Sequence, residues 1–456
     1  MKSVSSQRRP EQYDVVIVGG GIAGLYAAHR LRHRSVLLLE EQAQVGGRIR
    51  SARRGEYWVN LGAQFLAGEG PLWDLVQELE VPTLTLRGSR PGLALKNRVV
   101  VSESPARFVL QLPFSVRGRL EMMRLGLKLR RSYKRLARNS DAADARAFRD
   151  ELDAMSAAHY FSGIGDPDVQ AVFDGLVRFW MGAEADEISA GHAALYIGLS
   201  VADLGEVPPF SMPVGGNQSI PEALALSLGE RVRTGSRVTA VRQDDSGVEV
   251  EYAGESGSAT ARAATCIVAV PAYAAREVVE GLPEDVRRAL ESVRYGTYVN
   301  VGFFTGESGP MPWDGIYAIT VADKSFQVVT NPATVLHRGP ERPLGGALLA
   351  YAGGAPARAL AEAPDEDVVR IFERDLNDLL PETEGRVEDR IVQRWPRAIP
   401  YWEPGARASR QALRKPVGRV HLAGDYVAYP SMQVAATSGL AAAKAAEAAL
   451  DGRPAA

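Results

Sequence analysis

The residues best suited to chemistry stand near the start of the chain. Gly19, Gly21 and Gly24 follow the apolar run 13–18 at the spacing G-x-G-x-x-G, with Gly20 and Ala23 among them. At this spacing the first glycine permits a tight turn and the second lets a pyrophosphate reach the backbone. The third lets the following helix pack close to the strand. The N–H groups that open such a helix, together with its dipole, form an anion site. A second apolar run, 36–39, ends in Glu40, with Glu41 beside it. Glu40 lies about 20 residues past the first glycine, where a βαβ unit sets an acid against adenosine ribose hydroxyls. Such a carboxylate repels a 2′-phosphate, so NADP is disfavoured. The expected chemistry is dinucleotide binding; the alternative is a buried βαβ unit that holds no nucleotide.

A strand, turn, helix and second strand must position these residues, and Leu25, Ala28 and Leu31 repeat on one helical face. The 456 residues suffice for two cores. A hydrophobic share of 46% with 24% charged residues is ordinary for a soluble chain. The net charge of −2 creates no field that draws nucleic acid. The one cysteine, Cys266, excludes an intrachain disulfide framework. The six histidines, His29, His33, His159, His192, His337 and His421, form no ligand pair at helical spacing, so no metal is expected. Residues 1–10 are polar, and no run reaches about 18 apolar residues, so a cytoplasmic location is the default expectation.

Nucleotide-domain features recur in three separated pieces, 10–70, 212–275 and 417–452. The stretches between them, 71–211 and 276–416, must build a second, substrate domain. The first stretch is mainly helical by pattern. The second mixes strands, as at 298–304 and 347–351, with a helix over 365–380. The expected fold class is therefore α/β: a Rossmann-type domain interleaved with a mixed α+β substrate domain, with the substrate cavity at the seam. Segment 107–138 sets Leu120, Met123, Leu127 and Leu136 among many arginines and lysines. It reads either as a domain helix with a solvated charged face or as a peripheral membrane contact or substrate entrance.

Further anchors follow in order: Gly46, Gly47 and Arg48; Leu61, Gly62, Ala63 and Gln64; Gly215 and Gly216; Val238 in the run 237–241; Val268 to Pro271 in sequence; Ala423, Gly424, Asp425 and Tyr426; Ser431 and Met432. Together they resemble the superfamily of flavin amine oxidases, carotenoid (phytoene) desaturases and protoporphyrinogen oxidases. The resemblance implies a Rossmann-type FAD-binding domain. It also implies FAD contacts from Gly19, Gly20, Gly21, Ala23, Gly24, Glu40, Glu41, Gly47, Arg48, Gly62, Ala63, Gln64, Val238, Gly424, Asp425 and Met432. Arg48 would neutralise pyrophosphate or form a structural ion pair. Residues 62–64 would meet the flavin ring or make a simple turn. Val238 would meet adenine or fill the core. Asp425 would hold a ribityl hydroxyl or cap a helix. Met432 would present the closing helix to the flavin N1–C2=O edge or pack inside. The covalent amine oxidases carry a cysteine just before a Pro-Gly turn. That place is Arg397 here, so FAD is expected without a covalent bond.

Three departures narrow the chemistry that the resemblance implies. Asn300 stands where many amine oxidases have a lysine near flavin N5. Ala398 and Ser431 stand where those enzymes place two aromatic rings around the amine. The text 399–405 looks closer to the desaturase branch. The favoured expectation is an FAD-dependent oxidoreductase that removes a hydride from a largely apolar small molecule, at C–C or C–N, to flavin N5. The alternatives are an amine oxidase making an imine and hydrogen peroxide, and a redox-neutral flavin-dependent isomerase. Gln64 and Asn300 are the candidate catalytic side chains, or satisfied buried amides. Tyr298, Trp395 and Trp402 are candidate substrate walls, or core. Glu403 is a base or part of a surface turn. No second glycine fingerprint follows a strand, so electrons are expected to pass to oxygen, a quinone or another carrier.

Overall fold

The alternation of the first strand decides the architecture. In Glu11–Val18, Val15 and Ile17 point to one face and Val16 and Val18 to the other, and all four are buried. Such a strand needs cover on both faces, as in a parallel sheet between helical layers. The computed structural model describes residues 11–86, 90–102, 105–138, 142–200, 210–254, 257–337 and 342–452. In it Glu11–Val18 pairs in parallel with Val36–Leu39 on one side and Gly257–Val268 on the other. Val232–Arg233 extends the sheet in parallel beyond Val36–Leu39. The long strand Gly257–Val268 serves two partners in succession. Its first half pairs with the antiparallel hairpin formed by Arg237–Asp244 and Gly247–Gly254; its last residues pair in parallel with Val420–Leu422. The α/β Rossmann-type frame thus draws strands from the beginning, middle and end of the chain.

One face of this sheet is covered by the helices Ile22–Arg30 and Met432–Leu450. They touch backbone to backbone, since a Cβ on Gly439 would stand 2.0 Å from the Ala23 carbonyl oxygen. The run of alanines in the closing helix supplies both helix propensity and a thin contact surface.

A second seven-stranded sheet runs in the order Val387–Trp395, Tyr298–Thr305, Gly346–Gly353, Val328–Thr330, Ile316–Val321, Arg90–Leu95, Arg98–Val101. All its pairings are antiparallel except that of Ile316–Val321 with Arg90–Leu95. The helix Asp365–Leu379 packs Val368, Phe372 and Leu376 against it. A helical layer, including Val116–Ala137, Ala143–Ala154, Pro167–Met181 and Ala190–Ser200, forms its own core around Phe161, Phe173 and Ile197. The basic segment near 107–138 is two helices rather than one, because Pro113 separates Pro105–Gln111 from Val116–Ala137 and Ser115 caps the second. A small sheet of Leu66–Ala67, Phe210–Pro213 and Thr83–Thr85 adjoins the helical layer.

Candidate functional site

The glycine turn is built by close approach. A Cβ on Gly24 would lie 2.0 Å from the Gly19 carbonyl oxygen, so the helix can rest on the strand only with glycine there. At Gly21 an added Cβ meets nothing within 4 Å, and this residue opens the helix without a capping side chain. Room for a ligand beside an uncapped helix start is what a pyrophosphate needs. Gly20 donates its N–H to Glu40 Oε2 at 2.6 Å, and Gln42 donates to Glu40 Oε1 at 2.9 Å. Burial raises the Glu40 pKa, while these two N–H bonds oppose that rise. The Ser236 N–H donates to the Glu40 carbonyl at 2.7 Å, which brings the start of Arg237–Asp244, with buried Val238, beside the acid. Glu41 is exposed and pairs with Arg237 at 3.5 Å. Gly47 turns with φ +56, and a Cβ there would come 3.7 Å from the Gly21 Cα.

Arg48 and Asp425 meet directly. Arg48 Nη2 donates to Asp425 Oδ1 at 2.8 Å, and Nη1 donates to the Ala398 carbonyl at 2.6 Å. Burial works against the Arg48 charge, yet the Asp425 carboxylate beside it raises the guanidinium pKa overall. Gly424 donates to Ser438 Oγ at 2.8 Å, which fastens the Asp425 turn to the closing helix. Met432 is buried among core residues, and Ser431, itself exposed, caps Met432–Leu450 by accepting from the Val434 N–H.

The loop after Tyr57–Asn60 gathers several candidates around one carbonyl. Asn300 Nδ2 and Trp395 Nε1 both donate to the Leu61 carbonyl, each at 2.7 Å. Asn300 is buried, and its Oδ1 has no partner. A Cβ on Gly62 would stand 2.0 Å from the Arg48 carbonyl, so this loop lies flat on the Arg48 segment. Ala63 donates its N–H to that same carbonyl at 3.1 Å. The Gln64 side chain donates back to the Asn60 and Gly62 carbonyls. Buried Asn217, which sequence reasoning missed, donates to the Ala63 and Gln64 carbonyls at 2.8 and 3.1 Å.

Tyr298 lies opposite Trp395 across the second sheet, in the same apolar cluster as Leu61, whereas Trp402 stands elsewhere. Tyr298 is buried and donates to the Phe179 carbonyl at 2.7 Å. Trp402 is buried, stacks on Tyr429 with ring centroids 4.6 Å apart, and lies under the Arg410 guanidinium at 5.0 Å. Burial pushes the Arg410 pKa down to about 9. Glu403 is half-buried just before a turn and pairs with Arg294 at 3.1 Å.

Sequence reasoning also missed an aromatic cluster next to the loop. Phe65 has Phe179, Trp180, Phe210 and Tyr317 around it, with centroids 5.0 to 6.5 Å apart. Tyr196 continues the row beyond Trp180 at 6.0 Å. Phe65, Phe179, Trp180, Tyr196 and Phe210 are half-buried residues, while Tyr317 is buried. Only Phe65, next to Gln64, carried a positional hint; the others come from distant segments.

The residues present fit FAD. An open, uncapped helix start at Gly21 would cradle the pyrophosphate, beside a buried acid at Glu40 and a cation–carboxylate pair at Arg48 and Asp425. When bound, the flavin supplies an acceptor for a hydride.

Comparison with known proteins agrees with this geometry. Residues 22–446 match the family model for flavin containing amine oxidoreductases. A Mycobacterium tuberculosis protein named as a flavin-containing monoamine oxidase, AofH, is 32% identical over 286 residues. That match spans 58% of this chain and 58% of the relative's own length. The chloroplastic protoporphyrinogen oxidase of Oryza sativa subsp. japonica is 24% identical over 91% of this chain and 84% of its own. Among solved structures, wild-type putrescine oxidase bound to putrescine has a TM-score of 0.78 at 21% identity, covering 97% of this chain and 99% of that one. Cyclohexylamine oxidase from Brevibacterium oxydans also has a TM-score of 0.78 at 21% identity, covering 96% and 99%. With that fold and a family match over nearly its whole length, the chain belongs to the flavin-containing amine oxidoreductases.

Proposed function

We propose that this chain is an FAD-dependent oxidoreductase acting on a largely apolar small molecule. The substrate loses a hydride and a proton across a C–C or C–N bond, and the electrons leave to oxygen, a quinone or another carrier. The observation that carries this reading is the half-buried aromatic cluster around Phe65, immediately after the loop of Gly62, Ala63 and Gln64. Its rings offer an apolar, planar surface and would exclude water from the reacting carbon.

In this reading Gly19, Gly20, Gly21, Ala23, Gly24 and Gly47 cradle the pyrophosphate, and Glu40 holds the ribose. Arg48 and Asp425 act as a pair toward the pyrophosphate and ribityl. Glu41 and Val238 belong to the adenosine end, and Gly424 and Met432 to the ring end. Asn300 and Trp395 act by holding the Leu61 carbonyl, and so the ring-facing loop, in place. FAD is held without a covalent bond: residue 397 is arginine, and Cys266 is buried in a strand. The domain division follows the pieces 10–70, 212–275 and 417–452 against 71–211 and 276–416. The protein works in the cytoplasm, with a peripheral membrane contact through 107–138.

The second reading, an amine oxidase, is favoured by the names of the relatives. Ala398 and Ser431 at the two cage positions count against it. An anaerobic titration of the yellow protein separates the readings. Bleaching of the flavin by isoprenoid-like or polycyclic compounds is the expected result. Bleaching by simple amines alone, with peroxide formed in air, would replace the first reading with the second.

A further inference from the structure

The helix Val116–Ala137 carries a face that the fold leaves outside. Val116 is 76% exposed, Leu120 51%, Met123 53% and Leu127 51%. Their spacing places them on one side of the helix, while Leu125 and Leu129 are buried on the other. Leu110, in the preceding helix, is also 62% exposed.

The charge on this helix is as one-sided as its apolar row. Its 22 residues hold eight arginines and lysines against one acid, Glu121, in a chain of net charge −2. Glu121 is already engaged by Arg117 at 2.7 Å and by the Gly165 and Asp166 N–H groups. Directly beside the apolar row lies a groove of about 500 Å³ lined by Arg124, Lys128, Arg131, Arg135, Phe148 and Tyr160. Among the described residues no carboxylate lines it. Lys128 sits 3.9 Å over the Tyr160 ring, and Arg135 lies 3.9 Å over Phe148. Two of the groove's cations are thus braced by rings and backbone carbonyls: Lys128 also donates to the Tyr160 carbonyl, and Arg135 to that of Asp144.

We propose that this face docks on an anionic phospholipid bilayer. Leu120, Met123 and Leu127 enter the headgroup boundary, and the groove takes a lipid phosphate between Arg124, Lys128 and Arg131. An interfacial helix has this composition: an apolar row beside cations, with no span long enough to cross. Among the described residues no helix is long and apolar enough to cross a membrane. The docking helix packs on Ala190–Ser200, where Gly198 receives the Tyr133 ring; a Cβ on Gly198 would lie 2.5 Å from the Tyr133 Cβ. That second helix carries Tyr196, at the end of the aromatic row. One helix thus separates the bilayer from the proposed substrate surface.

This deepens the membrane contact proposed above and does not depend on which bond is oxidised. The test is flotation of the flavin-loaded protein with phosphatidylcholine vesicles, with and without phosphatidylglycerol. Binding to the anionic vesicles alone is expected. Leu120→Glu with Leu127→Glu should weaken it about tenfold or more. Arg124→Glu with Arg131→Glu should weaken it by at least about fivefold per cation removed. Unchanged flavin absorbance per chain shows that these surface variants fold. Equal binding to both vesicles, binding to neither, or full binding by the variants would overturn the proposal. A dimer that Leu120→Glu converts to monomer would overturn it too, because the face would then cover a second copy. Flavin reduction by an apolar compound in detergent, without any vesicle binding, would sink the docking and leave the proposed activity standing.

Discussion

Replacing Glu40 by glutamine tests the cofactor assignment at its most constrained point. The native carboxylate is buried and accepts from two backbone N–H groups, Gly20 at 2.6 Å and Gln42 at 2.9 Å. A glutamine amide has the same shape but offers an acceptor to only one of them. The other N–H then faces an NH₂ group. One charge-assisted bond is lost, worth about 1.5–3 kcal/mol, and a buried donor is left facing another donor. Relief of the desolvation that raises the Glu40 pKa offsets part of this. A net loss of about 2 kcal/mol corresponds to a fall in Tm of about 4–8 °C if the nucleotide domain, a unit in the range of about 150–250 residues, melts by itself. The ribose loses its ionised acceptor, so FAD should bind about tenfold or more weakly. Glu40→Ala should release FAD while leaving the fold largely intact.

The same residue gives two pH slopes of opposite sign. Because burial raises its pKa, the folded apoprotein holds this proton at pH values where the unfolded chain has released it. Between the ordinary and raised values the folded state binds more protons, so apoprotein stability falls as pH rises. FAD affinity rises over the same interval, since only the ionised carboxylate accepts at both oxygens and still faces the ribose. Thermal unfolding of apoprotein and flavin-fluorescence titration across this range measure the two slopes. Both should vanish in Glu40→Gln. A variant that keeps native FAD affinity, native Tm and both slopes would refute the assignment of Glu40.

Four further outcomes are expected. Gly24→Ala puts a methyl 2.0 Å from the Gly19 carbonyl and should cost about 1–3 kcal/mol with poor flavin loading, read by thermal shift and by absorbance per chain. Arg48→Lys and Asp425→Asn should each weaken FAD retention, and the double variant should lose less than the sum; additive losses in a titration would separate the two residues. Asn300→Ala and Trp395→Phe should each be mild, whereas the pair leaves the Leu61 carbonyl without either donor and should cost more than the sum in turnover and Tm. Acid precipitation should free all of the yellow chromophore; colour retained in the pellet would contradict non-covalent binding.

The Rossmann half was legible because its signals are local. The glycine spacing, the apolar run before it and the acid after it all lie within about thirty residues, and each has a backbone reason. The second sheet was half legible. Strands such as Tyr298–Thr305 follow from their β-branched and aromatic residues, but their order depends on pairings between distant segments. The roles around Leu61 were not legible. Nothing in the surroundings of Asn300 or Trp395 tells that both donate to one carbonyl about 240 and 330 residues earlier. The aromatic cluster was hidden for the same reason: Phe65, Phe179, Phe210 and Tyr317 come from four segments and share no motif.

Those long-range contacts bear on how the site can exist at all. Arg48 comes from the first piece of the chain, Ala398 from the end of the second sheet and Asp425 from the closing segment, and a single guanidinium joins them. The closing helix reaches its place only because Gly439 lets it touch the Ala23 carbonyl beside the glycine turn. The loop of Gly62 and Ala63 in turn rests on the Arg48 carbonyl, and Asn300 and Trp395 of the second sheet hold it by Leu61. Neither sheet therefore makes the proposed flavin site by itself. A chain whose last segment has not docked leaves Arg48 without its carboxylate and the ring-facing loop without its neighbour. Flavin binding is then linked to closure of the whole molecule, because a ligand that binds only the closed form stabilises it in proportion to its saturation. The site draws its rigidity from being shared, which is also why no single stretch of the sequence announces it.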